Sequence, residues 1–293
     1  MGATLEPEPG GWGRHRLLLV LGAVGLAASV LVVGLGFAVY FGISAAGGPP
    51  PPGPGATGVA TPTQGQPKGR DHRDAVAAAP MLTVGPGDSR ADAPAAVAGP
   101  AMSIPGATTA GPAQVPSGFP PTPQGAVGQL AAIETTVLQA MSVQVTNEVH
   151  RAWVLPGGPD VADWEMTRNV TAFLETAQMT SQKDTTTTVA ATPAAGMVKG
   201  TDGTAWVVVC VLLDVQAKIR ADARMGYGHC ARMQWTNESH GTHGTHGADG
   251  TDGPGGRWMI APGTAPARAP STWPGSELSQ RAGWRTWVDQ GQG

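Results

Sequence analysis

Residues 204–235 read TAWVVVCVLLDVQAKIRADARMGYGHCARMQW, two apolar stretches joined by a polar segment. In the first stretch, apolar residues fill both alternating positions over 206–213, which is typical of a strand buried on both faces. In the second, over 223–235, large apolar side chains alternate with glycine and polar residues. The stretch therefore predicts a long antiparallel hairpin at the centre of the fold.

The register of this hairpin follows if its turn centres on Arg220. Paired residue numbers then sum to about 440, and both apolar rows share one face. The facing pairs on that side are Val207 with Met233, Val209 with Ala231, Val211 with His229, Leu213 with Tyr227 and Val215 with Met225. The same register sets Cys210 against Cys230 on the opposite face. We predict a Cys210–Cys230 disulfide, with two packed free thiols as the alternative.

Helical patterns precede the hairpin. Thr122 followed by Pro123 is an N-cap with proline in the first turn, and apolar residues then recur at three- and four-residue steps as far as Met141. A weaker helical pattern covers about 143–154. A third helix is expected to begin at Asp160, after the Pro-Gly-Gly-Pro break at 156–159. Its inward stripe comprises Met166, Val170, Phe173, Leu174 and Ala177.

Strand patterns follow these helices. A β-branched stretch at 185–198 leads into the hairpin, and a short strand is expected at 257–261 after a polar loop at 237–255 that we expect to be disordered. The predicted helices come before the predicted strands of a curved antiparallel sheet, and this order indicates one α+β domain over 117–293. Four tryptophans, Trp258, Trp273, Trp284 and Trp287, crowd the end of the chain. We expect them to staple the tail onto the sheet, with a partner-binding patch as the alternative.

The N-terminal part predicts a membrane anchor. Residues 17–43 contain no charged side chain and are long enough to cross a bilayer as a helix. Arg14 and Arg16 flank this segment on its N-terminal side, so the leader 1–16 is expected in the cytoplasm and everything beyond residue 43 outside it. A cleaved signal peptide ending near Ser44-Ala45-Ala46 is the alternative, although the apolar run is longer than such peptides use. The predicted localisation is the cell membrane, single-pass, with the C-terminal domain extracytoplasmic.

A linker is expected between the anchor and the folded domain. Residues 44–116 are rich in proline, glycine and alanine and show no apolar period. Such a composition is typical of an extended or disordered tether rather than a core.

Composition excludes several functional classes. A net charge of -3 and a pI near 6.1 argue against direct nucleic-acid binding. Two cysteines exclude a four-cysteine metal site. Nothing in the chain matches a nucleophile elbow, a zinc-protease helix, a phosphate loop or a dinucleotide fingerprint. The sequence therefore predicts no enzyme and no cofactor.

Three short sequence motifs carry a resemblance to known proteins. They are VPSGFPPTPQGAV at 115–127, GYGHCARMQW at 226–235, and GRWMIAPG at 256–263 followed by STWPG at 271–275. Together with the anchor they resemble actinobacterial membrane proteins of integrative and conjugative elements. These look like the single-pass scaffold subunits of conjugation-type secretion systems, whose outer domains are nuclear-transport-factor-like rolls. The three are packing and turn motifs, so the resemblance transfers no active-site residue. The loop 237–255 looks like an insertion relative to that family.

Two places carry candidate chemistry. His229 shares its predicted face with Tyr227, where rolls of this type often hold a pocket. It is a candidate general base or ligand contact, with a satisfied position in the core or at its rim as the expected alternative. Glu134 lies on the apolar stripe of the first helix and either pairs with His229 or an arginine, or borders solvent; the solvent-bordering position is the expected one. In the 237–255 loop, a three-residue repeat carries weak metal candidates, with a merely solvated insertion preferred. These candidates are His240, His243, His246, Asp249 and Asp252.

These observations favour a membrane-anchored extracytoplasmic scaffold subunit of a conjugative DNA-transfer or secretion apparatus. Its expected partners are the lipid bilayer and other envelope subunits, without direct nucleic-acid contact, and homo-oligomerisation is left open. The alternative function is a tethered domain that binds a small ligand or a metal.

Overall fold

The computed structural model describes residues 68–219, 222–237 and 256–290, all within one compact unit of the chain. The α-helices of this part are α1 (Arg70–Ala78), α2 (Pro123–Ala140), α3 (Val143–Trp153), α4 (Glu165–Thr176) and α5 (Glu277–Arg281). The strands are β1 (Ala101–Ile104), β2 (Thr109–Ala110), β3 (Pro116–Ser117), β4 (Thr188–Thr201), β5 (Trp206–Lys218), β6 (Asp222–Thr236), β7 (Arg257–Ile260) and β8 (Arg285–Asp289). Short 3₁₀ turns lie at Pro86–Ser89 and Pro112–Gln114.

Six strands form one strongly curled sheet that resembles half a barrel, in the order β1-β8-β4-β5-β6-β7. Every neighbouring pair is antiparallel except β1 and β8, which run parallel. Strands β2 and β3 form a separate two-stranded ribbon. The predicted α+β class, with helices packed on a curved sheet, is confirmed.

The central hairpin has the predicted register. Val211 lies opposite His229, Leu213 lies opposite Tyr227, and Cys210 lies opposite Cys230. The two cysteine sulfurs are bonded, with a Cα–Cα distance of 4.0 Å. The disulfide prediction is therefore confirmed, and neither thiol is free.

The curl of the sheet encloses α2. Thr122 caps this helix, since its side-chain oxygen accepts a hydrogen bond from the Gly125 amide at 3.0 Å. The apolar side of α2 is buried against the inner row of β5 and β6 in one continuous core. Trp258 on β7 joins the same core and donates its indole N–H to the Pro120 carbonyl at 2.9 Å. The inner layer is thus a helix held in a half-barrel.

Helix α4 begins later than the sequence predicts. The Trp164 amide donates to the Asp160 carbonyl at 2.9 Å, so Asp160 starts a turn and the regular helix begins at Glu165. Of the predicted inward stripe, Met166, Val170 and Leu174 are fully buried. Phe173 is partly buried against the core, and Ala177 is the C-cap.

The folded domain also begins earlier than residue 117. Part of the segment 44–116, predicted to be a disordered linker, instead forms α1 and β1, and β1 is hydrogen-bonded to β8 as part of the main sheet. Their sequence lacks an apolar period because they cover the sheet with a few isolated side chains. Ala77 and Met81 pack on the outer face of the central hairpin, and Met102 and Ile104 reach the inner core.

The remaining N-terminal predictions lie outside the described residues. They are the leader 1–16, the membrane helix 17–43 and the first part of the linker, 44–67. Within the part that is described, no helix is both long and apolar enough to cross a membrane. The loop predicted at 237–255 is described only at its two ends.

The C-terminal segment crosses the outer face of β6, where the sequence reads Gly-Tyr-Gly. The Gly228 amide donates to the Ser271 hydroxyl at 3.1 Å. The buried Trp284 donates its indole N–H to the Pro270 carbonyl at 3.0 Å. Trp284 therefore holds the tail on the sheet and Trp258 ties β7 to the segment before α2, whereas Trp273 and Trp287 stay partly exposed.

This crossing predicts a strict requirement for glycine at position 226. A Cβ added there would lie 1.9 Å from the Thr272 carbonyl oxygen, so the crossing segment would have to move. We expect Gly226→Ala to lower the free energy of unfolding by about 2 kcal/mol or more, measured by urea denaturation. Gly87→Ala is the matched control, because a Cβ there meets nothing within 4 Å. Equal stability of the two variants would contradict this packing.

Candidate functional site

Five polar residues from three elements meet inside the curl of the sheet, and we call them the acid–base cluster. Helix α2 contributes Glu134, helix α4 contributes Glu165 and Asn169, and strand β6 contributes Tyr227 and His229. Local spacing in the sequence explains why the two residues of β6 lie together and why the two residues of α4 lie together. Tyr227 and His229 are two residues apart on one strand and share its inner face, where their rings stack with centroids 6.3 Å apart. Glu165 and Asn169 lie one helical turn apart.

A buried ion pair forms the centre of the cluster. The Glu134 Oε1 atom lies 2.5 Å from His229 Nδ1. Glu134 is 0% exposed and His229 is 8% exposed. The second carboxylate oxygen of Glu134 has no hydrogen-bond partner among the described residues. The prediction that Glu134 borders solvent was therefore wrong, and the pairing with His229 that the sequence left open is the one that forms.

The sequence could not decide this because the surroundings of Glu134 depend on the curl of the sheet. An isolated amphipathic helix would leave a glutamate at the edge of its apolar stripe in water. Here the sheet wraps far enough around α2 to bring His229 over that edge. The charge of the imidazolium then compensates for the burial of the carboxylate.

The outer part of the cluster reaches solvent at Glu165, whose side chain is 33% exposed. The Tyr227 hydroxyl donates to Glu165 Oε1 at 3.1 Å, and Asn169 Nδ2 donates to the Tyr227 oxygen at 2.8 Å. The other Glu165 oxygen, Oε2, lies 3.7 Å from His229 Nε2. The cluster thus runs from the buried Glu134 through His229 to the half-buried Glu165.

The charges in the cluster reinforce one another. Burial by itself lowers the pKa of His229, but the Glu134 and Glu165 carboxylates outweigh it and raise this pKa to about 9. Burial raises the pKa of Glu134, while the attraction and hydrogen bond of His229 oppose that rise. Burial, together with the two nearby carboxylates, raises the pKa of Tyr227 well above its ordinary value. At neutral pH the cluster therefore contains a charged imidazolium and a neutral phenol, both of which donate hydrogen bonds.

This arrangement is better suited to donating protons and holding charge than to abstracting protons. A general base works best when its pKa lies near the operating pH, and an imidazole with a pKa of about 9 is protonated there. The space next to His229 is filled by Glu134, Glu165 and Tyr227. Two grooves found in the described part lie elsewhere: one of about 400 Å³ beside His150 and Met259, and one of about 240 Å³ beside Ala195 and Trp284.

Sequence reasoning found His229, Tyr227 and Glu134 but missed Glu165 and Asn169. The structure brings all five together. A signal was present, because the four-residue spacing of Glu165 and Asn169 places them beside the buried stripe of Met166 and Val170. Their partners on β6 became visible only with the fold.

The metal candidates in the histidine loop, His240, His243, His246, Asp249 and Asp252, lie outside the described residues. Among the residues that are described, no group of three or more histidine, cysteine, aspartate or glutamate side chains is arranged to hold a metal ion.

Comparisons with known proteins return no family model, no curated protein and no solved structure that matches this chain.

Removal of the Glu134 charge should destabilise the fold. We expect Glu134→Gln to lower the free energy of unfolding at pH 7 by about 3 to 5 kcal/mol, because it leaves His229 without its buried counter-ion. The pKa of His229, followed by NMR of the imidazole protons, should fall. The control is Glu175→Gln on the exposed side of α4, for which a change below about 0.5 kcal/mol is expected. Equal effects of the two changes would contradict the buried pair.

The raised pKa of His229 also predicts a pH dependence. Its ordinary value is 6.5, and in the folded protein it is about 9. The stabilisation from the imidazolium is therefore complete below pH 6.5 and is lost as the pH rises to about 9. Relative to His229→Gln, the wild-type protein should lose a few kcal/mol of unfolding free energy over this range, measured by urea titrations at several pH values. A constant difference between the two proteins would contradict the raised pKa.

Proposed function

We propose that this chain is a membrane-anchored extracytoplasmic assembly subunit, and that its folded domain binds other envelope components of a conjugative DNA-transfer or secretion apparatus. The observation that carries the proposal is the Cys210–Cys230 disulfide at the centre of the sheet. Disulfides persist in oxidising compartments and are rare in the cytosol. A cystine in the most buried hairpin of the domain therefore supports a location outside the cytoplasm.

The N-terminal sequence supports the same location by an independent route. The uncharged segment 17–43 has the length of a membrane helix, and Arg14 and Arg16 precede it. Under the positive-inside rule this charge distribution keeps residues 1–16 in the cytoplasm. The domain would then lie on the side where the disulfide is stable.

The architecture supports the finer proposal of a nuclear-transport-factor-like roll. Three long strands, β4, β5 and β6, curl around α2, and α3 and α4 complete the inner layer. Helices packed on a curved antiparallel sheet are the combination that the family resemblance implies. The disulfide cross-links β5 and β6, and the Glu134–His229 pair ties α2 to β6; a domain held together in this way suits an assembly subunit.

An open sheet edge supports a role in assembly. Strand β1 ends the six-stranded sheet, and no other described strand pairs with its outer edge. Ala101 and Ser103 on β1 are exposed, and Val288 on β8, next to Ser103, is 45% exposed. Backbone groups at such an edge accept an additional strand from a partner.

A topology experiment tests the location. We expect a reporter enzyme that is active only outside the cytoplasm to be active when fused after Gly293 and inactive when fused after Arg16. In protein from the same cells, denatured without reductant, Cys210 and Cys230 should resist alkylation until a reductant is added. A reporter that is active only inside the cell, or thiols that react without reductant, would overturn the proposed location.

A purification experiment tests the assembly role. After cross-linking in cells and extraction with detergent, we expect the full-length protein to elute in a complex with several other membrane proteins. A variant with lysines in place of Ala101 and Ser103 keeps the buried residues of β1 and should lose these partners. Elution as a free protein under all conditions would contradict the assembly role.

Small-ligand binding is a second candidate function, and the acid–base cluster favours it. Its charged imidazolium and phenol are donors of the kind that fix the orientation of a ligand. A ligand or metal that shifts the melting temperature without partner proteins would support this candidate over the assembly role.

A further inference from the structure

Two hydrogen-bond donors converge on the side chain of Glu165, one for each of its oxygens. The Tyr227 hydroxyl donates to Oε1 at 3.1 Å, and His229 Nε2 faces Oε2 at 3.7 Å. Two separate donors, one of them cationic, are the elements with which proteins recognise a carboxylate. On the β6 side, this arrangement forms a receptor for a carboxylate group.

The receptor is held in place independently of Glu165. Glu134 fixes the His229 ring by a 2.5 Å contact with Nδ1, which leaves Nε2 directed towards Glu165. Asn169 holds the Tyr227 oxygen at 2.8 Å, and the two rings are nearly parallel, with 10° between their planes. A site whose donors are already oriented loses little entropy when a ligand binds.

Glu165 fills this receptor loosely. Its side chain is 33% exposed, and its 3.7 Å distance to Nε2 is longer than a hydrogen bond. The start of α4 is fixed by Trp164, whose side chain is buried. With the helix start fixed in this way, displacement of Glu165 requires only a turn of its own side chain towards solvent. Such a turn would vacate the space that the Glu165 carboxylate now occupies between Tyr227 and His229.

We propose that Tyr227 and His229 form a binding site for a small organic monocarboxylate, which Glu165 occupies in cis until a ligand displaces it. The proposal sharpens the second candidate function by naming the ligand class, and it depends on neither the membrane anchor nor the assembly role.

The charges of the cluster select this class. The groups that face His229 are Glu134 from α2, Glu165 from α4 and Tyr227 from β6, while its neighbour on β5 is the apolar Val211. With Glu165 turned away, the negative Glu134 and the positive His229 balance each other. A monoanion then restores the charge that Glu165 supplied. A dianion such as phosphate would bring a second negative charge close to Glu134, which no other group of the cluster compensates.

Chemical rescue tests the site. In full-length protein carrying Glu165→Ala, sodium acetate or propionate at ten times its dissociation constant should raise the melting temperature by about 3 °C relative to sodium chloride of equal ionic strength. Acetamide, which has the same shape without the charge, should produce no shift. Wild-type protein should respond only at higher concentrations, because Glu165 competes for the site.

Two variants show whether the shift comes from this site. Glu175→Ala removes the same side chain from the other end of α4 and should not gain a response to acetate. Glu165→Ala combined with Tyr227→Phe loses one donor and should bind acetate at least tenfold more weakly than Glu165→Ala alone. An equal response of Glu175→Ala, or no loss in the double variant, would overturn the proposal, as would a folded Glu165→Ala protein that ignores acetate.

If Glu165→Ala does not fold, the wild-type protein provides the test. Titration with acetate should move the NMR signals of the His229 imidazole, and acetamide should not. Unmoved signals up to molar acetate would overturn the proposal. A failure here would leave the assembly role intact, because the reporter and purification experiments do not depend on Glu165.

Discussion

Strand β5 is apolar on both faces, and the whole domain is arranged around the need to cover it. Its odd-numbered residues face the inner core with α2, and its even-numbered residues from Trp206 to Leu212 face outwards. A strand of this kind is stable only when both sides are removed from water. The pairing of β5 with β6 adds a second apolar row on the inner face.

The two faces are covered by different means. The inner face is covered by regular helices, whose apolar stripes match the curvature of the sheet. The outer face is covered by helix α1 and by irregular chain from both ends of the domain, with Ala77, Met81, Ala269 and Trp284 among the contacting side chains. Glycines at 226 and 228 let this chain lie directly on β6, and the disulfide links β5 and β6 beneath it.

The curl that covers β5 also creates the acid–base cluster. It turns His229 over Glu134 and brings Tyr227 to the residues of α4. A buried charge is tolerated only when another group compensates it, so the pair ties α2 to β6 and makes their relative position specific. The same pair fixes the His229 ring, and this leaves one donor directed at the half-buried Glu165. The curl of the sheet thus produces both the buried core and the candidate binding site.

Local patterns were enough to predict the hairpin register, the Cys210–Cys230 bond, the capped helix at Pro123 and the α+β class, because each depends on periodicity or on neighbours in the chain. The start of the domain and strand β8 were not predictable. Their few apolar residues show no period of their own, and they become buried only because the sheet brings these segments together. The place of Glu134 in the fold, and not its residue type, likewise made it a buried partner of His229. The fold also added Glu165 and Asn169 to the acid–base cluster. Contacts between residues far apart in the chain arise from the curvature of the sheet, and no local period encodes that curvature.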